Sequence, residues 1–270
     1  YTNVGIAKHP TFWDEFASVN SKITTKDQNS NIRKSAIALG EFNNIDHARE
    51  ILSALLIQSG NPITGYSDGA IKSYLNDSRT SPSALLFYTQ YSDPRNSQYS
   101  WNRSLPSAKS SFLSGSLATY FGFTSEIAEL RQKNPNIDYD VAALPQIRNT
   151  TNRSTYGNMY GLSMVKSAVN QSATYQIMNI ITAPDAVKIL SQLTYLPSVR
   201  RDDISAGSTD PYMSIFLDSA LISKGWLDTS PIRTNVIFTN LVESITSGRS
   251  DVNSALKQAD DNLNLSLQIQ

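Results

Sequence analysis

The sequence predicts an α/β fold with two lobes. Short β-prone runs alternate with segments whose apolar residues recur at helical spacing, which is typical of α/β proteins. Two turn-rich stretches without an apolar pattern, near 146–154 and 195–200, predict crossings between the lobes. A chain of 270 residues is long enough to bury one large core or two smaller ones.

Composition excludes several classes of function. Lys plus Arg and Asp plus Glu both number 23, so no net charge attracts nucleic acid or anionic lipid. The chain contains no cysteine, which excludes disulfides, zinc–thiolate sites and cysteine nucleophiles. No apolar run reaches the roughly 18 residues that a membrane span needs. The first residues lack the charged and apolar regions of a signal peptide, which leaves a protein kept in the cell or a trimmed exported one.

Helix and strand signals alternate in the first half of the chain. Thr11 is the predicted cap of a helix with an acidic first turn, and a strand through residues 37–39 ends at Gly40. The next helix spans residues 45–59, where one apolar stripe ends at a glycine. Further helices are predicted at 82–92 and 107–113, a strand, glycine turn and helix start within 115–126, and a short strand at 138–145.

The second half is predicted to be mostly helical. A strand of alternating polarity is predicted over residues 156–165, and a final amphipathic helix over residues 251–265. Between them, helices are predicted at 172–181, 184–193, 211–223 and 235–247.

One polar turn has the spacing of a calcium loop without its other requirements. Asp27, Asn29 and Asn31 alternate as calcium ligands do. However, Ile32 stands where that loop needs glycine, and Ala38 where it needs a bidentate glutamate. The segment therefore predicts a hairpin turn, and we expect neither a metal nor a cofactor.

Six segments of the sequence match, in order, the motifs of one protein family. Residues 115–123 (GSLATYFGF) are similar to its strand-and-glycine-turn motif, and residues 138–145 (DYDVAALP) to a motif that ends in proline. The other segments are 10–16, 38–44, 156–166 and 247–256. On these residues the chain resembles the extracytoplasmic solute-binding proteins of ABC importers, in the sugar-binding, maltose-binding-protein-like cluster.

The resemblance implies a two-lobed periplasmic-binding-protein-like fold of type II with an incomplete first lobe. Residues 1–146 are expected to form the first part of the second, C-terminal lobe. Residues 147–197 are expected to contain the hinge crossings and a remnant of the first lobe. Residues 198–270 are expected to supply the C-terminal helices of the second lobe.

The resemblance also implies a function. The protein is expected to capture a sugar or oligosaccharide by hinge closure and to present this carbohydrate ligand to the permease of an ABC transporter. It is expected to lie outside the cytoplasm, anchored to the membrane as a lipoprotein in its intact form. We further expect a monomer that performs no catalysis and does not bind nucleic acid.

The resemblance implies a ligand cleft lined by loops at strand ends, and the first candidate is the turn of Gly122, Phe123, Thr124 and Ser125. Glycine allows close approach, a helix start presents N–H groups, and hydroxyls suit polyol oxygens. The alternative is an ordinary Ser/Thr helix cap.

A second candidate follows the strand at residues 37–39. Glu41, Phe42, Asn43 and Asn44 combine a carboxylate, an aromatic ring and two amides, which recognise hydroxyls as both donors and acceptors. Alternatively, the two asparagines only start the following helix.

Three further groups complete the candidate site. Tyr99 and Trp101 lie in a polar loop and either stack on a sugar ring or pack against their own lobe. Trp226 and Asp228 either line the cleft or belong to the core. Arg200 either bonds a ligand hydroxyl or an interlobe carboxylate, or is exposed without a role.

Two other classes of function remain as alternatives. An enzyme has little support, because His9 and His47 have no partner pattern and no Gly-x-Ser-x-Gly motif occurs. His47 next to Asp46 is interpreted as part of a solvated first helical turn. Asp138 and Asp140 could serve a glycosidase but are more typical of a turn. A surface adhesin or interaction scaffold with the same fold is the other alternative.

Overall fold

The computed structural model describes residues 1–77 and 79–268. The helices are α1 Phe16–Ile23, α2 Ala48–Gln58, α3 Ser81–Thr89, α4 Ala108–Leu113, α5 Ile127–Lys133, α6 Gln171–Ile181, α7 Pro184–Thr194, α8 Arg201–Ala206, α9 Pro211–Leu221, α10 Pro231–Thr246 and α11 Val252–Gln268. The strands are β1 Thr25–Lys26, β2 Ile32–Ile37, β3 Thr64–Ser67, β4 Ala70–Ser73, β5 Leu117–Thr119, β6 Thr155–Tyr156 and β7 Ser223–Lys224. The alternation of helices and strands confirms the predicted α/β class.

The central sheet has the strand order β1-β2-β5. β1 and β2 are antiparallel, and Asp27 closes their turn by accepting hydrogen bonds of 2.9 Å from the N–H groups of Asn29 and Asn31. The predicted hairpin turn is therefore confirmed. β2 and β5 are parallel, with Ile37 opposite Thr119. Because parallel strands end at the same edge, the chain leaves both strands toward one side of the sheet.

The first helix is capped differently from the prediction. A 3₁₀ turn at Trp13–Glu15 precedes α1, and its N-cap position is Phe12 rather than Thr11. Glu15 Oε2 accepts hydrogen bonds from the N–H groups of Thr11 (2.8 Å) and Phe12 (3.2 Å). The Glu15 carboxylate thus satisfies the N–H groups of the two residues that precede the turn, and the Thr11 hydroxyl does not cap the helix.

One hydrophobic core lies between α2, the central sheet and the C-terminal pair α10–α11. Leu52, Leu56 and Phe238 within it are fully buried. At the C-terminal end of α2, the buried Gln58 accepts a 2.8 Å hydrogen bond from Trp13 Nε1 and donates to the carbonyls of Pro145 and Ser154. These bonds fasten the turn-rich stretch 146–154 to α2, because each unmet buried polar group would cost about 1–3 kcal/mol.

Two predicted strands are wrong or much shorter. Residues 138–145, all within the described part of the chain, form no strand, and only Gln146 makes a single bridge, to Phe12. The predicted strand 156–165 is reduced to β6, which pairs with β7 alone. Both segments lack a neighbouring strand along most of their length, and isolated strands have no partner for their backbone groups.

The β3–β4 hairpin, the strand β7 and the helix α8 were not predicted. Residues 64–73 form the hairpin, with Asp68 and Gly69 at positive φ in its turn. The short helix α8 follows the stretch 195–200 and has only six residues, too few for an apolar stripe to be recognised. The predicted helices corresponding to α2, α3, α4, α6, α7, α9, α10 and α11 are confirmed within a few residues.

Residues 157–199 carry an apolar face that the rest of the described chain leaves uncovered. Neither α6 nor α7, both fully described, contains a buried residue. Large apolar side chains there include Met159, Tyr160, Val165, Val169, Tyr175, Ile180, Ile189 and Leu193, all more than half exposed.

Within the residues described, no helix is both long and apolar enough to span a bilayer.

Candidate functional site

The two strand-end segments singled out from the sequence meet at one edge of the central sheet. The chain leaving β2 runs through residues 38–47 into α2, and the chain leaving β5 runs through residues 120–126 into α5. Their side chains touch directly, since His47 Nε2 lies 2.8 Å from Glu126 Oε2. The parallel pairing of β2 and β5 brings these distant segments together.

The carboxylate of Glu126 is the centre of the site. Its Oε2 atom accepts hydrogen bonds from His47 and from the N–H of Phe123, each 2.8 Å. Its Oε1 atom accepts from Lys109 Nζ at 2.6 Å and from the Tyr120 hydroxyl at 2.9 Å. Burial opposes ionisation, but these donors outweigh burial and lower the pKa of Glu126 to about 2. The residue is therefore a permanently charged anchor at neutral pH.

The Gly122–Ser125 turn lies over this anchor. Gly122 and Ser125 are exposed, whereas Phe123 and Thr124 are half-buried. The Phe123 ring meets the His47 ring edge-to-face at 4.9 Å, and the Thr124 hydroxyl donates a 2.7 Å hydrogen bond to the carbonyl of Tyr195. The N-cap residue is Phe123 and its N–H is satisfied by Glu126, so the alternative of an ordinary Ser/Thr cap is wrong, while ligand binding at this turn stays a prediction.

The segment after β2 is more buried than a ligand-binding loop. Glu41 is 7% exposed and Phe42 is 6% exposed. Burial raises the pKa of Glu41 although Arg103, 3.4 Å away, opposes the rise. Asn43 alone of this group is exposed, and its amide donates to Glu243 Oε1 at 2.8 Å. Only Asn43 thus presents its side chain to solvent here.

Asn44 is fully occupied within the fold. Its Nδ2 atom donates to the carbonyls of Asn102 (2.9 Å) and Leu105 (3.0 Å), and its Oδ1 atom accepts from the indole of Trp101 at 3.2 Å. The side chain clamps the following loop and does not start the helix, since His47 is the N-cap residue of α2.

The aromatic loop residues are packed rather than exposed. Trp101 is 1% exposed and Tyr99 is 9% exposed. The Tyr99 hydroxyl accepts a 2.8 Å hydrogen bond from Asn102, and the Lys26 ammonium lies 4.6 Å from the centre of its ring. Both rings are therefore packed within the fold, as one of the two interpretations of the sequence expected, and they are not free to stack on a sugar.

Comparison with known proteins decides the family. The sequence matches the family described as bacterial extracellular solute-binding protein over residues 1–204. The chain belongs to this family. Its members are extracellular, which implies a location outside the cytoplasm, and the predicted resemblance is confirmed. No curated protein gives a significant match.

A solved structure confirms the fold of this solute-binding protein. The maltose/maltodextrin-binding domain MalE from Bdellovibrio bacteriovorus, bound to maltotriose, matches with a TM-score of 0.69 at 14% identity. The match covers 97% of this chain and 68% of that chain. The predicted periplasmic-binding-protein-like fold is therefore confirmed, and the partial coverage of the other chain fits an incomplete first lobe.

Trp226 and Asp228 attach the segment after β7 to α2. The Trp226 indole donates a 3.0 Å hydrogen bond to Ser53 and stacks on Phe238 with 6.0 Å between ring centres. Asp228 forms a 3.1 Å ion pair with Arg49. Trp226 also lines an open depression of about 410 Å³ near the β3–β4 hairpin, at the opposite end of α2 from His47.

Arg200 lies away from the Glu126 centre. Its guanidinium pairs with Asp202 at 2.9 Å, and its N–H donates to Ser198. It stands at the N-cap position of α8, and one third of its side chain is exposed. Arg200 therefore pairs with a residue of its own helix, and it has no described contact with the Gly122–Ser125 turn.

Sequence reasoning missed His47, Lys109, Glu126 and Tyr156. His47 is half-buried and ion-paired, so its interpretation as part of a solvated first turn is wrong. Glu126 had a usable signal, because a glutamate three residues after an N-cap position can accept from the N-cap N–H, as Glu126 does from Phe123. Among the described residues, no cluster of three metal-binding side chains occurs.

Proposed function

We propose that this solute-binding protein captures a sugar or oligosaccharide at the Gly122–Ser125 turn and delivers it to the permease of an ABC importer. One observation carries the proposal: the turn contacts residues near both ends of the segment 147–197. The Phe123 ring lies 6.4 Å from the Tyr156 ring, and Thr124 donates to the carbonyl of Tyr195. A turn in this position lies where two lobes would meet around a ligand.

The exposed groups of the turn suit a carbohydrate. Gly122 is exposed, and Ser125, also exposed, offers a hydroxyl that both donates and accepts. The neighbouring rings of Phe123 and Tyr156 supply half-buried apolar surface for the carbon face of a sugar. Family membership and the fold of a maltotriose-bound relative support the same ligand class.

The proposal includes the division of the chain into lobes. Residues 1–146 and 198–270 form the second lobe, and residues 147–197 contain the crossings and the remnant of the first. The uncovered apolar face of α6 and α7 supports this division, because many large exposed apolar side chains within one segment are typical of a surface that another unit covers. Ligand that contacts both lobes selects the closed state, so capture requires hinge closure and no chemistry. The protein acts as a monomer, anchored to the outer face of the membrane.

Ligand-detected NMR tests the proposal on the chain as it exists. Mono- and oligosaccharides, including maltotriose, are screened at about 10 mM, because one lobe alone holds its ligand weakly. Amino acids and nucleotides serve as controls. A saturation-transfer signal from one class of sugar, lost in Gly122→Val and kept in Gly161→Val, is the expected result. Signals that are equal in all ligand classes, or that survive Gly122→Val, would contradict the site and favour an interaction scaffold.

A further inference from the structure

Glu126 connects the turn to three separate parts of the fold. His47 approaches it from the start of α2, Lys109 from α4 and Tyr120 from the end of β5. Lys109 is itself held in place, since its N–H donates to Asp46 at 2.7 Å and its ammonium pairs with Glu129 at 3.0 Å. A carboxylate with this many fixed donors has one preferred position.

The conformation of the turn depends on that position. The N–H of Phe123 donates directly to Glu126, so the backbone of the turn is bonded to the carboxylate. A Cβ atom on Gly122 would lie 2.7 Å from Glu126 Oε2 and 2.7 Å from the ring of Tyr120. The turn thus fits closely onto the network, and a shift of the carboxylate must move residues 122–123.

His47 is the donor whose charge changes near neutral pH. It adopts a left-handed backbone conformation at φ 61°, which is uncommon for a residue with a side chain and directs its ring toward Glu126. The charged and titratable groups around it are Glu126 and Tyr120 from the segment after β5, and Asp46 and Glu50 beside or within α2. Lys109 reaches the same carboxylate from α4.

We propose that Glu126 is the positioning residue of the Gly122–Ser125 turn and that the protonated form of His47 holds it there, so that ligand affinity falls as His47 loses its proton. The ligand part rests on the proposed function, whereas the coupling of His47 to the turn stands on the contacts alone. The protein therefore binds its ligand more tightly in mildly acidic surroundings.

The direction of the pH dependence follows from the charges. Burial disfavours the imidazolium, but the hydrogen bond and charge of Glu126, together with Glu50 and Asp46, outweigh burial and raise the pKa of His47. The charge-assisted bond is therefore complete below the ordinary histidine pKa of about 6.5 and is lost as pH rises through the raised value. Neutral His47 keeps at most a weaker, uncharged hydrogen bond to Glu126.

NMR without ligand tests the coupling. In ¹⁵N-labelled chain, the Phe123 amide and the His47 ring signals are followed from about pH 5.5 to about pH 8.5. We expect one shared midpoint above about 6.5. His47→Gln, which keeps a donor without the charge, removes the titration of the Phe123 amide. His9→Gln, at the other histidine and exposed, leaves it unchanged. A Phe123 amide that does not titrate, or that still titrates in His47→Gln, would overturn the proposal.

A binding measurement tests the ligand part separately. Titration calorimetry with the sugar found in the saturation-transfer screen, or with maltotriose, is run across the same pH range. Affinity is expected to fall about three- to tenfold in the wild type and to be flat in His47→Gln. Binding that ignores pH would overturn the ligand part. Absence of any sugar binding would refute the proposed function, while the amide titration still decides whether His47 positions the turn.

Discussion

The indole of Trp101 donates a 3.2 Å hydrogen bond to the side-chain oxygen of Asn44, and the bond joins two residues that the sequence offered as ligand-binding candidates. Trp101 is 1% exposed, and the amide nitrogen of Asn44 binds two backbone carbonyls of the same loop. The pair therefore belongs to the internal packing of the fold. Its role is to hold the chain leaving β2 against the loop before α4.

Asn44→Ala is expected to lower the free energy of unfolding by about 2–4 kcal/mol, because it leaves the Trp101 N–H and two carbonyls without their partner. Urea unfolding measures the change. Asn43→Ala is the matched control, since that exposed amide makes one bond to Glu243, and its removal is expected to cost less than about 1 kcal/mol. If the two substitutions lowered the free energy of unfolding equally, Asn44 would not hold the loop as described.

Arg49 gives a second prediction about the junction between α2 and the segment after β7. It pairs with Asp228 at 3.1 Å and Glu50 at 2.8 Å, and all three side chains are mostly buried. Arg49→Met is expected to lower the free energy of unfolding by about 1–3 kcal/mol, because two carboxylates lose their cation. In the exposed pair with Asp93, Arg95→Met is the control and should leave the urea midpoint nearly unchanged. The prediction is wrong if both variants unfold at the wild-type midpoint.

Gly122→Ala tests the fit of the turn over Glu126. The added methyl group would lie 2.7 Å from the carboxylate and from the Tyr120 ring, so the turn or the network must move. A loss of about 1–3 kcal/mol in unfolding free energy is expected, as for other overpacked sites. Thermal unfolding and the Phe123 amide shift measure it, with Gly161→Ala as the control, because a methyl group on that glycine would meet no atom within 4 Å. An unperturbed amide shift would show that the turn tolerates the methyl group.

The helices were predictable because their signals are local. In α2, apolar residues recur on one face and Gly60 ends the helix at φ 94°, and both features are legible in the sequence. The strand predicted at 138–145 does not form, although its composition is typical of a strand. A strand needs a neighbouring strand to pair with, and the sequence does not show whether one is present. The turn after β5 was located correctly for the same local reasons, as a glycine followed by a helix start.

The partners within the site were not predictable, since they come from distant positions. His47 and Glu126 are 79 residues apart and meet only because β2 and β5 pair in parallel. Conversely, the sequence left open whether Tyr99 and Trp101 stack on a sugar or pack against the protein, and the fold buries both rings. Sequence position thus identified the loops, and long-range packing decided which side chains they expose.

Glu126 gives a prediction in acid. Burial raises its pKa, but its donors outweigh burial and lower the pKa from 4.5 to about 2, so its contribution is complete above about pH 4.5 and lost as pH falls toward 2. Glu126→Gln is expected to lose on the order of 2–3 kcal/mol near neutral pH, and this difference from the wild type should shrink below about pH 4. Urea unfolding at several pH values measures it, with Glu129→Gln, a more exposed carboxylate on the same lysine, as control. A difference that stays constant with pH would argue against a charged Glu126.

The last prediction concerns the uncovered face of α6 and α7. Without buried residues, these helices gain little from packing, so their amide protons should exchange through local opening. α2, whose Leu52 and Leu56 are fully buried, should open only when the whole domain unfolds. Hydrogen exchange measured by mass spectrometry is expected to be at least about tenfold faster in α6 and α7 than in α2. Equal protection in a monomer, checked by light scattering, would show that this face is packed and would contradict the division into lobes. Protection that appears only with self-association would show that the apolar face had found a second copy as its cover.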